Sequence, residues 1–151
     1  MKAANNISIR VFCKEDEDRS KIIEKLKLLL PFDLDKEKTE LIEEKTESFN
    51  DRRIYVIKVV LRKERHINAF IENLVKKLGE EKKTLIEQMD SRLDEDLNFF
   101  IRLDKEMLLK GKYILTDSGN CYHIRIGVAV FPKKRDKGIE AVSKMFNPNQ
   151  K

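Results

Sequence analysis

Residues 121–131, CYHIRIGVAVF, alternate between apolar side chains and a mixed set of polar, small and aromatic ones. Because successive side chains of a β-strand point to opposite faces of its sheet, this pattern predicts a strand with one buried face. The side expected to face the core consists of Ile124, Ile126, Val128 and Val130. The other side carries His123, Gly127, Ala129, Arg125 and Phe131. We therefore expect the fold to centre on a sheet with one packed face and one open face.

Two further segments alternate in the same way. The segment ISIRVFC, near the N-terminus, places Arg10 and Phe12 on the open face when its Ile and Val residues face the core. The segment LNFFIRLD places Phe100 and Arg102 on the open face. Both are predicted to be strands of the same kind.

Three other segments carry strand signals. RRIYVIKVVLRK, residues 52–63, is rich in β-branched residues and predicts a central strand. Its open side would carry Lys58 and Arg62, but apolar residues share that side, which leaves the orientation ambiguous. KYILTD, residues 112–117, is predicted to form a hairpin with CYHIRIGVAVF around the turn DSGN. A weaker strand signal lies at residues 39–46.

The predicted helices show apolar residues three and four positions apart. The clearest is RHINAFIENLVKKLG, where Gly79 stands at the position of a C-cap glycine. Asp104 is expected to cap the short helix in KEMLLKG, since an aspartate side chain can accept from the first turn of backbone N–H groups. The predicted helical ranges are 21–30, 65–79, 80–93, 105–111 and 135–146.

The resulting element order is β-α-β-β-α-α-β-(α)-β-β-α, in which short turns join neighbouring strands. This order predicts an α+β fold: a mostly antiparallel sheet with helices packed on one face. A chain of 151 residues is expected to form a single domain, residues 1–151. It would end in a basic helix and tail at residues 132–151.

Charge is abundant and unevenly distributed. Charged residues make up 39% of the chain, and the net charge is +5. Residues 52–66 carry a net charge of +5 and residues 132–151 carry +4, whereas residues 14–47 and 80–106 each carry −4. Such a chain could present a basic face to a polyanion, although a block of charge is often only a solvated surface.

The sequence also bears on location. No run approaches the roughly 18 apolar residues of a membrane helix, and the N-terminus carries no apolar signal core. Cys13 and Cys121 show no paired spacing, which argues against a disulfide scaffold or a zinc module. We expect a cytoplasmic protein without membrane association.

The predicted open face combines basic and aromatic side chains. Guanidinium groups bind phosphates or stack on bases, and exposed rings accept unpaired bases, so this combination is typical of an RNA-binding surface. The competing interpretation is an ordinary solvated sheet face. The residues concerned are Arg10, Phe12, Lys58, Phe100, Arg102, His123 and Arg125.

Catalytic and metal-binding signals are weak. His66 begins a helix and His123 has no carboxylate neighbour in its own strand, and neither has the spacing of a metal ligand. The five glycines leave little room for a phosphate-binding loop. Carboxylates that could hold Mg²⁺ as in a nuclease are Asp94, Glu95, Asp96 and Asp104. A solvated loop explains most of them better, and capping explains Asp104, so we expect no enzyme activity and no cofactor.

Four segments carry a family resemblance: VFCKEDEDRSKI, LRKERHINAFIENL, DEDLNFFIRLDKEMLLKG and CYHIRIGVAVFPKK. Over roughly residues 7–145 the chain resembles an archaeal family described as a predicted exosome subunit, an RNA-binding protein. The resemblance implies an α+β domain similar to the large-subunit ribosomal protein that binds 5S RNA, with no catalytic residues. Mapped onto this chain, it implies RNA contacts at Arg102, Lys105, His123, Arg125, Lys133, Lys134 and Arg135.

Two classes of function therefore stay open. The first is a non-catalytic RNA-binding protein that works with exosome-related or ribosomal machinery, with Arg10, Lys58 and Arg62 added to the contacts above. The second is a protein–protein adaptor on such an assembly, which would use the acidic segments 14–47 and 80–106 or an exposed apolar patch instead of touching RNA. A metal-dependent nuclease is a third class, and it would require cleavage that EDTA abolishes.

Overall fold

The computed structural model describes residues 2–47 and 53–147. Arg52, in the predicted central strand, and residues 148–151 of the predicted tail lie outside the described residues. The described strands are β1 (Ala4–Lys14), β2 (Leu41–Glu47), β3 (Arg53–Leu61), β4 (Asn98–Asp104) and β5 (Cys121–Val128). They form one sheet in the order β2-β3-β1-β5-β4, and every neighbouring pair is antiparallel.

Helices cover one face of this sheet. The described helices are α1 (Arg19–Leu28), α2 (Glu64–Leu78), α3 (Glu81–Glu87), α4 (Met89–Arg92), α5 (Lys105–Leu109) and α6 (Arg135–Phe146). Helices α1 and α2 contact β1, and α6 contacts β5. The alternating apolar residues of β1, β4 and β5 that were expected to face inward are buried beneath them, with Ile9, Ile101 and Ile124 fully enclosed. The predicted α+β fold is confirmed.

Local sequence signals determine several helix ends. The Asp104 carboxylate accepts from the Met107 backbone N–H at 2.9 Å, which confirms the predicted cap of α5. Asp18 caps α1 in the same way by accepting from Lys21. Gly79 follows α2 with a φ of +54°, a left-handed conformation that glycine adopts without steric cost.

The predicted hairpin between residues 112–117 and 121–131 is wrong. A hairpin would need residues 112–117 to pair with β5, but β1 and β4 already occupy both edges of β5. The segment instead follows the outer edge of β4, where the Thr116 N–H donates to the Arg102 carbonyl at 3.0 Å. The segment forms an isolated bridge between Leu103 and Leu115, and the Leu115 N–H donates to the Glu81 carboxylate at 2.9 Å.

Two smaller differences concern helices. The helix predicted over residues 80–93 is divided at Gln88, whose backbone has a φ of −99° and a ψ of 13°. His66, expected as a polar first-turn residue, is buried and stacks on Phe32 with ring centroids 4.4 Å apart. Within residues 2–47 and 53–147, no helix is long and apolar enough to cross a membrane.

Candidate nucleic-acid interface

The face of the sheet opposite the helices, here called the outer face, carries basic side chains in register. Arg10 of β1 pairs with Lys58 of β3 on one side and with His123 of β5 on the other. His123 in turn pairs with Arg102 of β4. We call these four residues the basic row. Because the strands are neighbours, the row runs across the sheet at right angles to the strands.

A second row lies beside the basic row. In it Ser8 pairs with Val60 on one side and Arg125 on the other, and Arg125 pairs with Phe100. The Arg125 guanidinium donates to the Ser8 hydroxyl oxygen at 3.4 Å. The second row therefore adds one more cation and an aromatic ring to the outer face.

The cations of the basic row form no salt bridges with the described residues. In the described part of the chain, neither Lys58 nor Arg10 forms a salt bridge, and the Arg10 guanidinium lies 5.5 Å from the centroid of the Phe12 ring. The Arg102 guanidinium donates to a neutral acceptor, the Asp117 carbonyl oxygen, at 3.0 Å. Arg10 and Lys58 lie directly opposite each other, where like charges destabilise an antiparallel pair, so an anion bound beside them would stabilise the row.

The pKa of His123 reflects the positive charge of the outer face. Burial lowers the pKa of His123 below its ordinary value, and three surrounding guanidinium groups lower it further. These groups belong to Arg10, Arg102 and Arg125. An anion placed on the face would oppose all three and would make protonation of His123 easier.

An aromatic pair lies on the outer face near the β4 edge of the sheet. The Phe100 and His123 rings are stacked, with centroids 5.4 Å apart and an angle of 27° between their planes. Both side chains are only half-buried, so part of each ring is open to solvent. Phe12, at the other side of the basic row, is 42% exposed.

Two grooves meet at this aromatic pair. The first has a volume of about 390 Å³ and is lined by Asn6, Ser8, Arg10, Lys58, Val60, Arg62, Phe100, His123 and Arg125. The second has a volume of about 530 Å³ and is lined by Gln88, Ser91, Arg92, Phe100, Arg102, Asp117 and His123. Because Phe100 and His123 line both, the outer face continues past the edge strand β4 to α4.

The second groove contains residues that the sequence did not indicate. The Arg92 guanidinium donates to the Gln88 side-chain oxygen at 2.7 Å and to the Phe100 carbonyl oxygen at 3.4 Å. Arg92 and Gln88 are polar residues of an amphipathic segment, and nothing in its periodicity distinguishes them from ordinary solvated positions. Only the docking of α4 against β4 brings them to the outer face.

Lys105 does not belong to the outer face. Its side chain is 2% exposed, and its ammonium donates to the Phe12 carbonyl oxygen at 2.6 Å and to the Glu17 carboxylate at 3.1 Å. Lys105 thus ties the start of α5 to the end of β1 and to the loop that follows it. An enclosed ammonium with these partners is not available to a phosphate, so we leave Lys105 out of the site proposed below.

The C-terminal basic cluster, Lys133, Lys134 and Arg135, lies apart from both grooves. Lys133 and Lys134 are exposed in the connection between β5 and α6. Arg135 donates to the Leu93 carbonyl oxygen at 2.9 Å and forms an ion pair with Asp90 at 2.9 Å. Neither groove on the outer face includes any of the three.

The described residues offer little for metal or thiol chemistry. Residues 2–47 and 53–147 contain no group of three or more His, Cys, Asp or Glu side chains arranged to hold a metal ion. Burial raises the pKa of both Cys13 and Cys121, which disfavours the reactive thiolate. Basic groups and aromatic rings therefore dominate the chemistry of the outer face.

Comparison with known proteins agrees with this chemistry. A family model described as RNA binding matches residues 6–129, which is most of the chain. The chain belongs to this RNA-binding family. An RNA-binding protein from Pyrococcus abyssi is 33% identical over 140 residues, which cover 92% of this chain and 91% of that protein.

Solved structures share the fold. A protein from Archaeoglobus fulgidus superposes with a TM-score of 0.84 at 26% identity, over 94% of this chain and 99% of that one. A protein from Methanothermobacter thermautotrophicus has a TM-score of 0.78 at 27% identity, over 96% of this chain and 99% of that one. The part matched by the RNA-binding family contains the whole outer face, whereas the C-terminal basic cluster lies beyond it.

Proposed function

We propose that this protein binds RNA through the outer face of its sheet, without cleaving it. The observation that carries the proposal is the basic row, in which Lys58, Arg10 and Arg102 lie in register with His123 across four strands. None of these three cations is paired with a carboxylate in the described part of the chain. The proposed contacts are Arg10, Lys58, Arg62, Arg92, Arg102, His123 and Arg125. Membership of the RNA-binding family supports RNA as the polyanion.

The proposal that RNA is not cleaved rests on the surroundings of His123. A catalytic histidine is usually oriented by a carboxylate, but within the described residues no hydrogen bond or ion pair joins His123 to one. Incubation of the protein with labelled RNA in the presence of Mg²⁺ should leave the RNA intact. Shortening of the RNA that EDTA prevents would show a metal-dependent nuclease instead.

Site-directed substitution tests the outer face directly. Arg102→Ala combined with Arg125→Ala removes two cations from exposed positions and should weaken RNA binding by about 10- to 100-fold, as expected when two charge-assisted contacts are lost. The measurement is fluorescence anisotropy with labelled RNA. The matched control is Lys76→Ala with Lys77→Ala, which removes two exposed charges from the end of α2.

The control distinguishes a site from general attraction. Equal losses for the two double variants would mean that net charge alone governs binding, and no loss for the Arg102 and Arg125 variant would remove the outer face as the RNA site. Melting temperatures should stay close to that of the wild type in both, because all four side chains are exposed.

We further propose that the protein works with RNA-processing machinery related to the exosome, or with ribosomal machinery. The resemblance of four segments to a predicted exosome subunit family supports this role. Affinity capture from a lysate, with and without nuclease, tests how any association is made. Partners lost after nuclease treatment would be held through RNA, whereas partners retained would favour a direct adaptor role for the acidic segments 14–47 and 80–106.

A further inference from the structure

We infer that the ligand of the outer face is single-stranded RNA whose backbone crosses the β-strands along the basic row, with an unpaired base stacked at the Phe100–His123 pair. This inference rests on the proposed function and adds the class of RNA and its direction on the sheet. It depends on three observations: the geometry of the row, the openness of the aromatic pair and the continuity of the two grooves.

The basic row has the length and direction of a track for a nucleic-acid backbone. Lys58 and Arg102 are its two ends, separated by three steps between neighbouring strands. With strands 4.7–4.9 Å apart, the row is about 14 Å long. That length offers room for about four to five consecutive phosphates, given a rise of about 3.4 Å per nucleotide in a stacked strand. The next row carries Arg125 as its only cation, so the basic row holds more positive charge than the row beside it.

The aromatic pair favours an unpaired base. Phe100 and His123 are half-buried at the end of the row nearest β4, so their exposed ring surface lies beside the expected position of the backbone. In a duplex, each base already stacks on its neighbours and pairs with its partner, so its flat face is not free to cover a side-chain ring. In a single strand a base can leave the stack and cover the ring.

The grooves extend the path beyond the sheet. The first groove leads from Arg62 and Lys58 to the aromatic pair, and the second leads on to Gln88 and Ser91 at the surface of α4. A flexible single strand can follow this turn around the edge of β4. At the end of the second groove, the Gln88 amide and the Ser91 hydroxyl can hydrogen-bond to base edges, which a single strand leaves accessible.

Binding of matched single-stranded and duplex RNA tests the inference. We would titrate the full chain into a labelled ten-nucleotide oligouridine and into a labelled ten-base-pair RNA duplex at the same salt concentration. The oligouridine is expected to bind at least about tenfold more tightly, since only it can satisfy both the row and the aromatic pair. Equal affinity, or tighter binding of the duplex, would overturn the inference.

A conservative aromatic substitution supplies the second measurement. Phe100→Leu keeps an apolar side chain and every cation but removes the ring, so oligouridine binding should weaken at least about fivefold while duplex binding is unchanged. The matched control is Phe131→Leu, since Phe131 is 97% exposed and lies outside both grooves. It should change neither affinity by more than about twofold.

The outcomes separate this inference from the proposed function. If Arg102→Ala with Arg125→Ala weakens oligouridine and duplex equally, and Phe100→Leu weakens neither, the outer face still binds RNA but the single-strand inference is wrong. If the arginine substitutions leave both affinities unchanged, the proposed site itself is wrong. A melting curve for Phe100→Leu should match that of the wild type, so that lost binding is not lost folding.

Discussion

The basic row and the C-terminal basic cluster have similar charge but different surroundings. Lys133 and Lys134 are adjacent in the sequence and lie in a connection, whereas the residues of the basic row come from four strands that are far apart in the sequence. The row is held in register by backbone pairing and is accompanied by aromatic rings and two grooves. In the cluster, Arg135 is already bound to Asp90 and to a carbonyl group of the same chain.

From this difference we expect charge held in register on strands to matter more for RNA binding than charge clustered along the sequence. Adjacent lysines in a connection repel each other only weakly, because each side chain can turn into solvent away from its neighbours. The backbones of Arg10 and Lys58 are fixed opposite each other on neighbouring strands, so a bound anion would relieve the repulsion between them. RNA binding should therefore depend on the row much more than on the cluster.

The largest expected effect comes from removing equal charge from the two regions. A triple variant of the row, Arg10→Gln, Lys58→Gln and Arg102→Gln, should lose about 100-fold in affinity for single-stranded RNA. A triple variant of the C-terminal region, Lys133→Gln, Lys134→Gln and Lys137→Gln, should lose less than about threefold, the share of long-range attraction alone. Fluorescence anisotropy at 100 mM salt measures both, and similar losses would abolish the distinction.

The salt dependence of RNA affinity should also differ between the two triple variants. Each phosphate contact contributes about −0.7 to the slope of log affinity against log salt for a single strand, so loss of three contacts should reduce the slope by about 2. When salt is raised from 50 to 200 mM, the wild type should therefore lose about 20-fold more affinity than the row variant does. The row variant should show this flatter slope, and the C-terminal variant should keep the slope of the wild type. A slope reduced equally in both would indicate contacts in both regions.

A smaller effect is expected from pH. Burial and the neighbouring Arg10, Arg102 and Arg125 hold the pKa of His123 below its ordinary value, and a bound phosphate should raise it. RNA affinity should therefore increase as the pH falls from 8 to 5.5, by about three- to tenfold if the pKa rises by up to one unit. His123→Gln should remove this dependence, whereas the C-terminal triple variant should retain it.

The same pKa shift predicts an opposite effect on stability without RNA. Because the pKa of His123 is lower in the folded protein than in the unfolded chain, the unfolded chain binds more protons below about pH 6.5. The free energy of unfolding should then fall as the pH falls through this range, and less so in His123→Gln. Urea denaturation at pH 8 and at pH 5.5 measures it, and an increase in stability on acidification would contradict the assignment.

The smallest effect on RNA binding is expected at Lys105. Lys105→Met removes an enclosed ammonium that holds the Phe12 carbonyl and the Glu17 carboxylate. The free energy of unfolding should fall by about 1–3 kcal/mol, less than for a fully buried pair because Glu17 is partly exposed. RNA affinity of the folded variant should stay within about twofold of the wild type. Lys112→Met, at an exposed position nearby, should change neither quantity, and a loss of RNA affinity specific to Lys105→Met would return this lysine to the site.

Much of the outer face could be predicted from alternation alone. The period of two assigned Arg10, Arg102 and His123 to the open side of their strands, because one buried face forces every second residue outward. Alternation does not specify which strands are neighbours. The basic row exists only because the sheet order places β1 between β3 and β5, and this order depends on contacts between residues distant in the sequence.

The features that the sequence did not reveal share this tertiary origin. Residues 112–117 have a strand-like composition, but both edges of β5 are occupied by other strands. Lys105 resembles a surface lysine in sequence, and only the approach of the loop containing Glu17 encloses it. Arg92 reaches the outer face because α4 docks beside β4. Local patterns therefore gave the elements, and their assembly determined the site.

Crosslinking tests the central claim most directly. A single-stranded RNA of ten nucleotides that contains 4-thiouridine would be bound to the full chain, irradiated and digested, and the crosslinked peptides identified by mass spectrometry. We expect crosslinks in the strand peptides that contain Phe100, Arg102 or His123. Crosslinks confined to residues 131–146, with none on β1, β4 or β5, would contradict RNA binding at the outer face.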